Sequence, residues 1–177
     1  MRLFARLTKG VSICCLLALA VSIALYLFGI RINETESIPL GIYKTTKDQV
    51  QVGSYVMLCP PEISVFDEAR RRGYLTSGNC PGNYSYMMKK VFAVGYDSIR
   101  INQAGVWVNG KSVYLSSPMK TDSAGREMPH LNVDGYVLEE DEVLLMSDIT
   151  AQSFDGRYFG PIDKQQILSV ITPIFNW

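Results

Sequence analysis

The sequence is poor in the residues that most enzymes use for metal binding and for base catalysis. It has one histidine, His130, and four cysteines, Cys14, Cys15, Cys59 and Cys80. A lone histidine in a polar loop and cysteines at these spacings make no metal-site signature. No second histidine or paired ligand supports a catalytic His130. Charge of one sign is lacking too: 17 basic residues balance 17 acidic ones, so no charge excess points to a nucleic-acid partner. The acidic positions are too dispersed for a disordered acidic tail. Long apolar runs are absent except for one, and helix-like patterns are few.

That one run, residues 11–30, holds no charged side chain. As a helix it spans roughly 30 Å, the thickness of a bilayer core. Arg2, Arg6 and Lys9 precede it, while Glu34 and Glu36 offset Arg31 after it. The positive-inside bias therefore holds residues 1–10 in the cytoplasm and sends 31–177 outward, as one domain of ordinary size. Tyr26 and Phe28 sit near the outer end, where aromatic rings favour the interface. Two other readings compete with an anchor. One is a signal peptide cut after Ala18-Leu19-Ala20, which would leave a greasy mature N-terminus. The other is a buried core helix.

Within the run, Cys14 and Cys15 behave as small hydrophobes. Cys59 and Cys80 fall on the exported side, where disulfides persist, and could close one loop.

Past the anchor, residues 38–43 read as an extended segment interrupted by Pro39 and Gly41. Proline cannot donate a ladder hydrogen bond, so such a strand belongs at an edge. That edge either receives an extended peptide or is simply protected from aggregation. Residues 53–59 form a short strand, stopped by Pro60 and Pro61. Residues 62–72 read as a helix, acidic early and basic late, ended by Gly73. Its three arginines form a solvated helix end, or contact anionic lipid. Residues 76–84 are Gly/Asn/Pro-rich loop, so 60–86 is a helix-and-loop excursion.

Strand patterns follow at 86–94, 98–101 and 106–114, with Asn109-Gly110 as a hairpin turn. Residues 116–131 are polar loop. Strands return at 142–146 and 167–174. Many short strands and few helices give a mainly β domain with a barrel-like or sandwich core.

Three stretches carry chemistry. Ser37-Ile38-Pro39 follows the apolar run. Lys89-Lys90-Val91-Phe92-Ala93-Val94-Gly95-Tyr96-Asp97 precedes the Asn109-Gly110-Lys111 turn. Ser147-Asp148 leads into Ser153-Phe154-Asp155-Gly156-Arg157-Tyr158-Phe159-Gly160. Together they resemble the type I signal peptidases, which use a Ser-Lys dyad. Within that family they are most similar to the branch that matures pilins for conjugative plasmids. The resemblance runs from anchor to last strand. Three departures, Ile38 for methionine, Ser147 for glycine and Gly156 for serine, loosen the match to housekeeping members and fit the conjugative branch better.

The resemblance implies a signal-peptidase-like β domain behind one transmembrane helix, and no cofactor. It implies Ser37 as nucleophile and Lys89, not Lys90, as general base. Ser153 and Asp155 would orient Lys89 or its loop, although Asp155 could instead pair with Arg157. The Ser37 backbone N–H and Thr35 would receive the oxyanion. Ile38, Pro39, Leu40 and Gly41 would bind substrate as an edge. Val91 and Phe92 could wall the lysine in apolar surroundings. That matters because a lysine near pKa 10.4 is charged at neutral pH and burial lowers it. The implied partners are an exported pilin precursor, inner-membrane lipid and the conjugation machinery. The implied reaction ends in a cyclic pilin, because the acyl-enzyme is resolved by the substrate's own amine. The competing reading is a non-catalytic periplasmic scaffold of a conjugation or secretion channel. A soluble binding protein is a third.

Overall fold

The computed structural model describes residues 2–177, and side chains from Gly10 onward. The side chains of Arg2, Arg6 and Lys9 therefore lie outside the described ones. Helix α1 (Arg2–Leu27) contains the apolar run up to Leu27; residues 28–29 turn, and Ile30 already belongs to a strand. Its stretch Gly10–Leu27 is long and apolar enough to cross a membrane, and none of it is buried against the domain. This exposure removes the core-helix reading.

Among the described residues eleven strands follow, all paired antiparallel. The larger sheet takes β1 (Ile30–Asn33), β2 (Gly41–Thr46), β3 (Tyr55–Leu58), β4 (Met87–Val94), β9 (Glu142–Met146), β10 (Ile162–Asp163) and β11 (Ile167–Asn176), in the order β1-β2-β11-β3-β4-β9-β10. The smaller sheet takes β5 (Ser98–Asn102), β6 (Gly105–Val108), β7 (Lys111–Ser112) and β8 (Val133–Val137), in the order β7-β6-β5-β8. This is the mainly β architecture expected from the short, alternating strands, with the large sheet curled around its core. The Asn109-Gly110 turn closes the β6–β7 hairpin with φ of 50° and 77°. Both values belong to the left-handed region that these two residue types tolerate. The sequence pattern misses β8, whose Asp134 and Gly135 read as turn residues. Pairing with β5 holds it extended.

Hydrophobic side chains separate into three clusters. The largest lies between the main sheet and helix α2 (Ser64–Arg71), around Val56, Leu58, Phe66, Leu145 and Phe154. A second, around Ile101, Val106 and Leu144, joins the two sheets. The third is small: Ile38, Tyr43, Met57, Met88 and Ile171. It lies beneath the turn that carries Ser37.

The excursion between β3 and β4 is tied to the sheet in several ways. Phe66 and Ala69 of α2 are buried. Arg70 Nη1 donates to Gly82 O at 2.7 Å, and Tyr84 Oη donates to Asp67 Oδ1. Arg72 donates to Glu68 and to Glu127 O. The arginines at this helix end are thus not uniformly solvated: two of the three tie loops down. Cys59 and Cys80 are joined, 21 positions apart, with α-carbons 5.4 Å apart. A closed loop of this length contributes about 3 kcal/mol by restricting the unfolded chain. The double variant C59S/C80S is expected to lose that much stability in denaturant unfolding. A midpoint unchanged from the native chain would show that the excursion is held by packing alone.

Candidate active site

Strand β4 decides which lysine is buried. Neighbours along a strand face opposite ways. Lys89 therefore shares a face with Met87 and Val91, which pack into the main core. Lys90 points the other way and forms an ion pair with Asp148 at 2.6 Å, with Tyr55 and Phe92 alongside. Lys89 is 3% exposed. Of its expected apolar wall, Val91 lies on its face, while Phe92 packs toward the second cluster.

Lys89 Nζ donates to Ser37 Oγ at 2.6 Å and to Ser153 Oγ at 2.8 Å. The three groups come from the turn after β1, from β4, and from the loop after β9. Burial pulls the lysine down from 10.5 to about 8. The Asp155 carboxylate acts against that shift and the Arg157 guanidinium acts with it. Loss of water is the largest of the three causes. A lysine at about 8 is neutral in roughly a tenth of molecules at pH 7. A neutral amine beside a serine hydroxyl can take its proton.

The sign of the pH dependence follows. Activity that requires neutral Lys89 is expected to rise about tenfold per pH unit on the acid side and to level off above about 8. A kcat/KM profile on a soluble peptide checks this. A flat profile from pH 6 to 9 would mean that Lys89 does not titrate in the reaction.

Asp155 pairs with Arg157 and does not touch Lys89. It is fully buried and makes no hydrogen bond to Lys89 among the described residues. Its oxygens accept from Arg157 Nε at 2.7 Å and Arg157 Nη2 at 2.9 Å, and from the Ser147 N–H at 3.1 Å. It also caps the short helix α3 (Gly156–Phe159). Arg157, equally buried, donates onward to Leu115 O and Ala151 O. This pair locks the loop of Ser153, so Asp155 reaches Lys89 through that loop and through its charge. Ser153 is the residue that touches the amine. Gly156 fits here because a Cβ would lie 2.8 Å from Leu145 O.

The residues 38–41 do not form a free edge. Ile38 is buried beneath Ser37, and Gly41 is paired on both sides, opposite Asn33 of β1 and Asn176 of β11. A Cβ at Gly41 would meet Phe175 O at 2.2 Å. Proline at 39 sits in a turn, its carbonyl accepting from Tyr43 Oη at 2.6 Å. Pro39 and Leu40 are half-buried and do not line the open cleft beside Ser37.

The open cleft runs on the other side of Ser37, with a volume of about 600 Å³. Residues 32–37 form one wall. Residues 74–76 of the excursion and 85–89 form the other, and Ser153 and Phe154 lie at the floor. The ladder from β4 to β9 stops at Lys90. Residues 87–89 therefore offer their backbone to the cleft. Thr35 lines the cleft, but its hydroxyl donates to Asn33 Oδ1 at 3.0 Å. The Ser37 N–H donates to no protein group among the described residues. His130 lines a separate hollow with Asn102 and Leu131. Asn33 was not expected at the site: an asparagine ending a strand reads as a turn residue, and only its burial reveals otherwise.

Exposed apolar side chains gather where the anchor meets the domain. They include Phe28, Ile32, Ile174, Phe175 and Trp177.

Comparison with known proteins gives the family. The profile described as "Signal peptidase, peptidase S26" matches residues 6–177. The chain is 47% identical over 176 residues to a "Plasmid transfer protein TraF" of Escherichia coli, covering 99% of each. It is 38% identical over 151 residues to a "Conjugal transfer protein TraF" of Agrobacterium tumefaciens (strain 15955), covering 84% of each. Among solved structures, a signal peptidase I from Enterococcus faecalis V583 aligns with a TM-score of 0.42 and 15% identity, over 72% of this chain and 100% of that one. With one helix fit to cross the inner membrane and its β domain on the periplasmic side, the chain belongs to the signal peptidase family, peptidase S26.

Proposed function

We propose that this chain is a Ser-Lys endopeptidase that matures an exported pilin precursor for conjugative plasmid transfer. The observation that carries the reading is the 2.6 Å contact between Ser37 Oγ and a lysine amine that is out of water. A scaffold has no need of a buried amine against a serine. The names of the relatives, plasmid and conjugal transfer proteins, support the biological setting.

Neutral Lys89 takes the Ser37 hydroxyl proton as Ser37 Oγ attacks the substrate carbonyl. The oxyanion is received by the Ser37 N–H, with Thr35 as second donor once its hydroxyl turns from Asn33. The C–N bond breaks, and the Lys89 ammonium returns the proton to the leaving amine. The ester on Ser37 is then opened by an amine or by water, each giving its proton to Lys89, which passes it to Ser37 Oγ as the acyl–oxygen bond breaks. An N-terminal amine of the same acyl chain has a high effective concentration and outcompetes water. The product is then a head-to-tail cyclic pilin. Ser153 holds the lysine amine toward Ser37 throughout. The substrate backbone lies in the cleft between residues 32–37 and 85–89, adding to the unpaired side of β4.

The test uses full-length protein and pilin precursor together in lipid vesicles, with the intact mass of the product as readout. A cyclic product is lighter by one water than the hydrolysed chain. Unchanged precursor with the native chain would reject the peptidase reading. A hydrolysed linear product would retain it and reject cyclisation.

A further inference from the structure

The turn that carries Ser37 is not held by its own backbone. Among the described residues, no N–H of residues 34–40 donates to a main-chain oxygen, and the one carbonyl that accepts from a main-chain N–H is Leu40 O, from Trp177 N. Glu34 and Glu36 are exposed, and Ile38 is the only residue of the turn in the buried core. A seven-residue turn with so few ties would fluctuate by more than a hydrogen-bond length.

Two side chains hold it: Tyr43 Oη donates to Pro39 O at 2.6 Å, and Asn33 supplies the other side-chain bonds to its main chain. Asn33 ends β1 and is 3% exposed. Its Nδ2 donates to Thr35 O at 2.8 Å, Ile38 O at 2.9 Å and Pro39 O at 3.1 Å. Two hydrogens serve three acceptors, so one of them is shared. Its Oδ1 accepts from Thr35 N at 3.2 Å and from Thr35 Oγ1 at 3.0 Å. The three carbonyls fix the amide's orientation, because a flipped amide would set oxygen against oxygen. An amide oxygen only accepts, so the Thr35 hydroxyl must spend its one hydrogen on Asn33.

We propose that Asn33 is a positioning residue of the nucleophile: its side-chain amide replaces the missing backbone bonds of the 34–40 turn, sets Ser37 Oγ over Lys89 Nζ, and governs when the Thr35 hydroxyl is free to serve an oxyanion. This rests on the peptidase reading above. Asn33 touches no reacting atom. It acts through Thr35 and through the carbonyls on either side of Ser37. A displacement of about 1 Å at an attacking atom costs on the order of 10²-fold in rate, and the amide guards against such a shift.

The variant N33D keeps the shape and the acceptor but removes the two donated hydrogens. With pilin precursor in vesicles, its kcat is expected to fall by on the order of 10²-fold while KM stays within about twofold. The introduced carboxyl faces three carbonyl oxygens and is favoured in its protonated form, which regains one donor. The activity of N33D relative to the native chain is therefore expected to rise as pH falls. A purely structural role would give a lower unfolding midpoint and a rate ratio independent of pH. N33D with native kcat, while S37A is inactive, overturns this inference and leaves the peptidase reading standing. A native chain that does not turn over removes both. Should N33D fail to fold, hydrogen exchange at Asn33 Nδ2 in the native chain decides. Protection beyond about tenfold over a free side-chain amide supports the role, and exchange at the free rate overturns it.

Discussion

Replacing Ser37 with alanine, or Lys89 with methionine, is expected to lower turnover by roughly 10³- to 10⁶-fold. The two substitutions remove the two ends of one proton transfer, so combining them should cost hardly more than either alone. Methionine is the informative choice at 89. It fills a similar volume on the strand face shared with Met87 and Val91, without an amine. Lys89→Arg should fail as well, since a guanidinium stays charged and cannot be a base.

Stability is expected to move the opposite way to activity. In the folded chain Lys89 titrates at about 8 rather than 10.5. Between those values the unfolded chain binds more protons, so the native fold gains stability as pH rises through this window. Below about 8 the full penalty of burying the ammonium is present. K89M removes that penalty and should be more stable than the native chain at pH 7, by about 1–3 kcal/mol after its lost hydrogen bonds are set against it. Its stability should also lose the dependence on pH between 8 and 10.5 that Lys89 contributes. A K89M variant less stable than the native chain at pH 7 would mean that the amine is well solvated or well paired in the fold.

The second large effect is on stability and centres on Asp155. Asp155→Asn leaves Arg157 charged, wholly buried and without its carboxylate. Breaking one side of such a pair costs about 3–5 kcal/mol, a large share of what a domain of this size has in reserve. D155N should therefore unfold at a much lower temperature. Where it remains folded, loss of the negative charge should pull Lys89 further down and move the acid limb of the pH–rate profile to lower pH. A double substitution of Asp155 and Arg157 by apolar residues of similar volume should recover most of the stability. Thermal unfolding of the three variants decides the matter. A D155N chain with native stability and a large loss of kcat would give Asp155 a direct role on Lys89.

The sequence carries the strands better than it carries the turn that matters. Residues 142–146 and the Asn109-Gly110 hairpin are readable because local alternation and turn chemistry agree with the tertiary pairing. The choice of Lys89 over Lys90 is readable only through a resemblance, since the strand pattern alone assigns both lysines to solvent. Alternation then explains it, because Val91 carries Lys89 to the core side and Lys90 finds Asp148. The 38–41 segment misleads for a physical reason. Proline and glycine in an apolar stretch signal an edge, yet Gly41 is squeezed between Asn33 and Asn176. Pro39 ends a turn held by the Asn33 amide. The Asp155–Arg157 pair is open to two readings in sequence because i and i+2 residues do not ordinarily meet on a helix. Here Asp155 is the cap rather than a helical position, and the cap turns its carboxylate back toward the arginine.

The most direct measurement is the mass of the enzyme itself during turnover. Full-length protein and pilin precursor, mixed in vesicles and quenched in acid within one turnover, should give an adduct that carries the part of the substrate N-terminal to the cut. Peptide mapping should place that ester on Ser37, and S37A should show none. The adduct should accumulate further when the precursor's own N-terminal amine is blocked, because water is then the only acceptor. An adduct on another residue, or full conversion of precursor by S37A, would contradict the account.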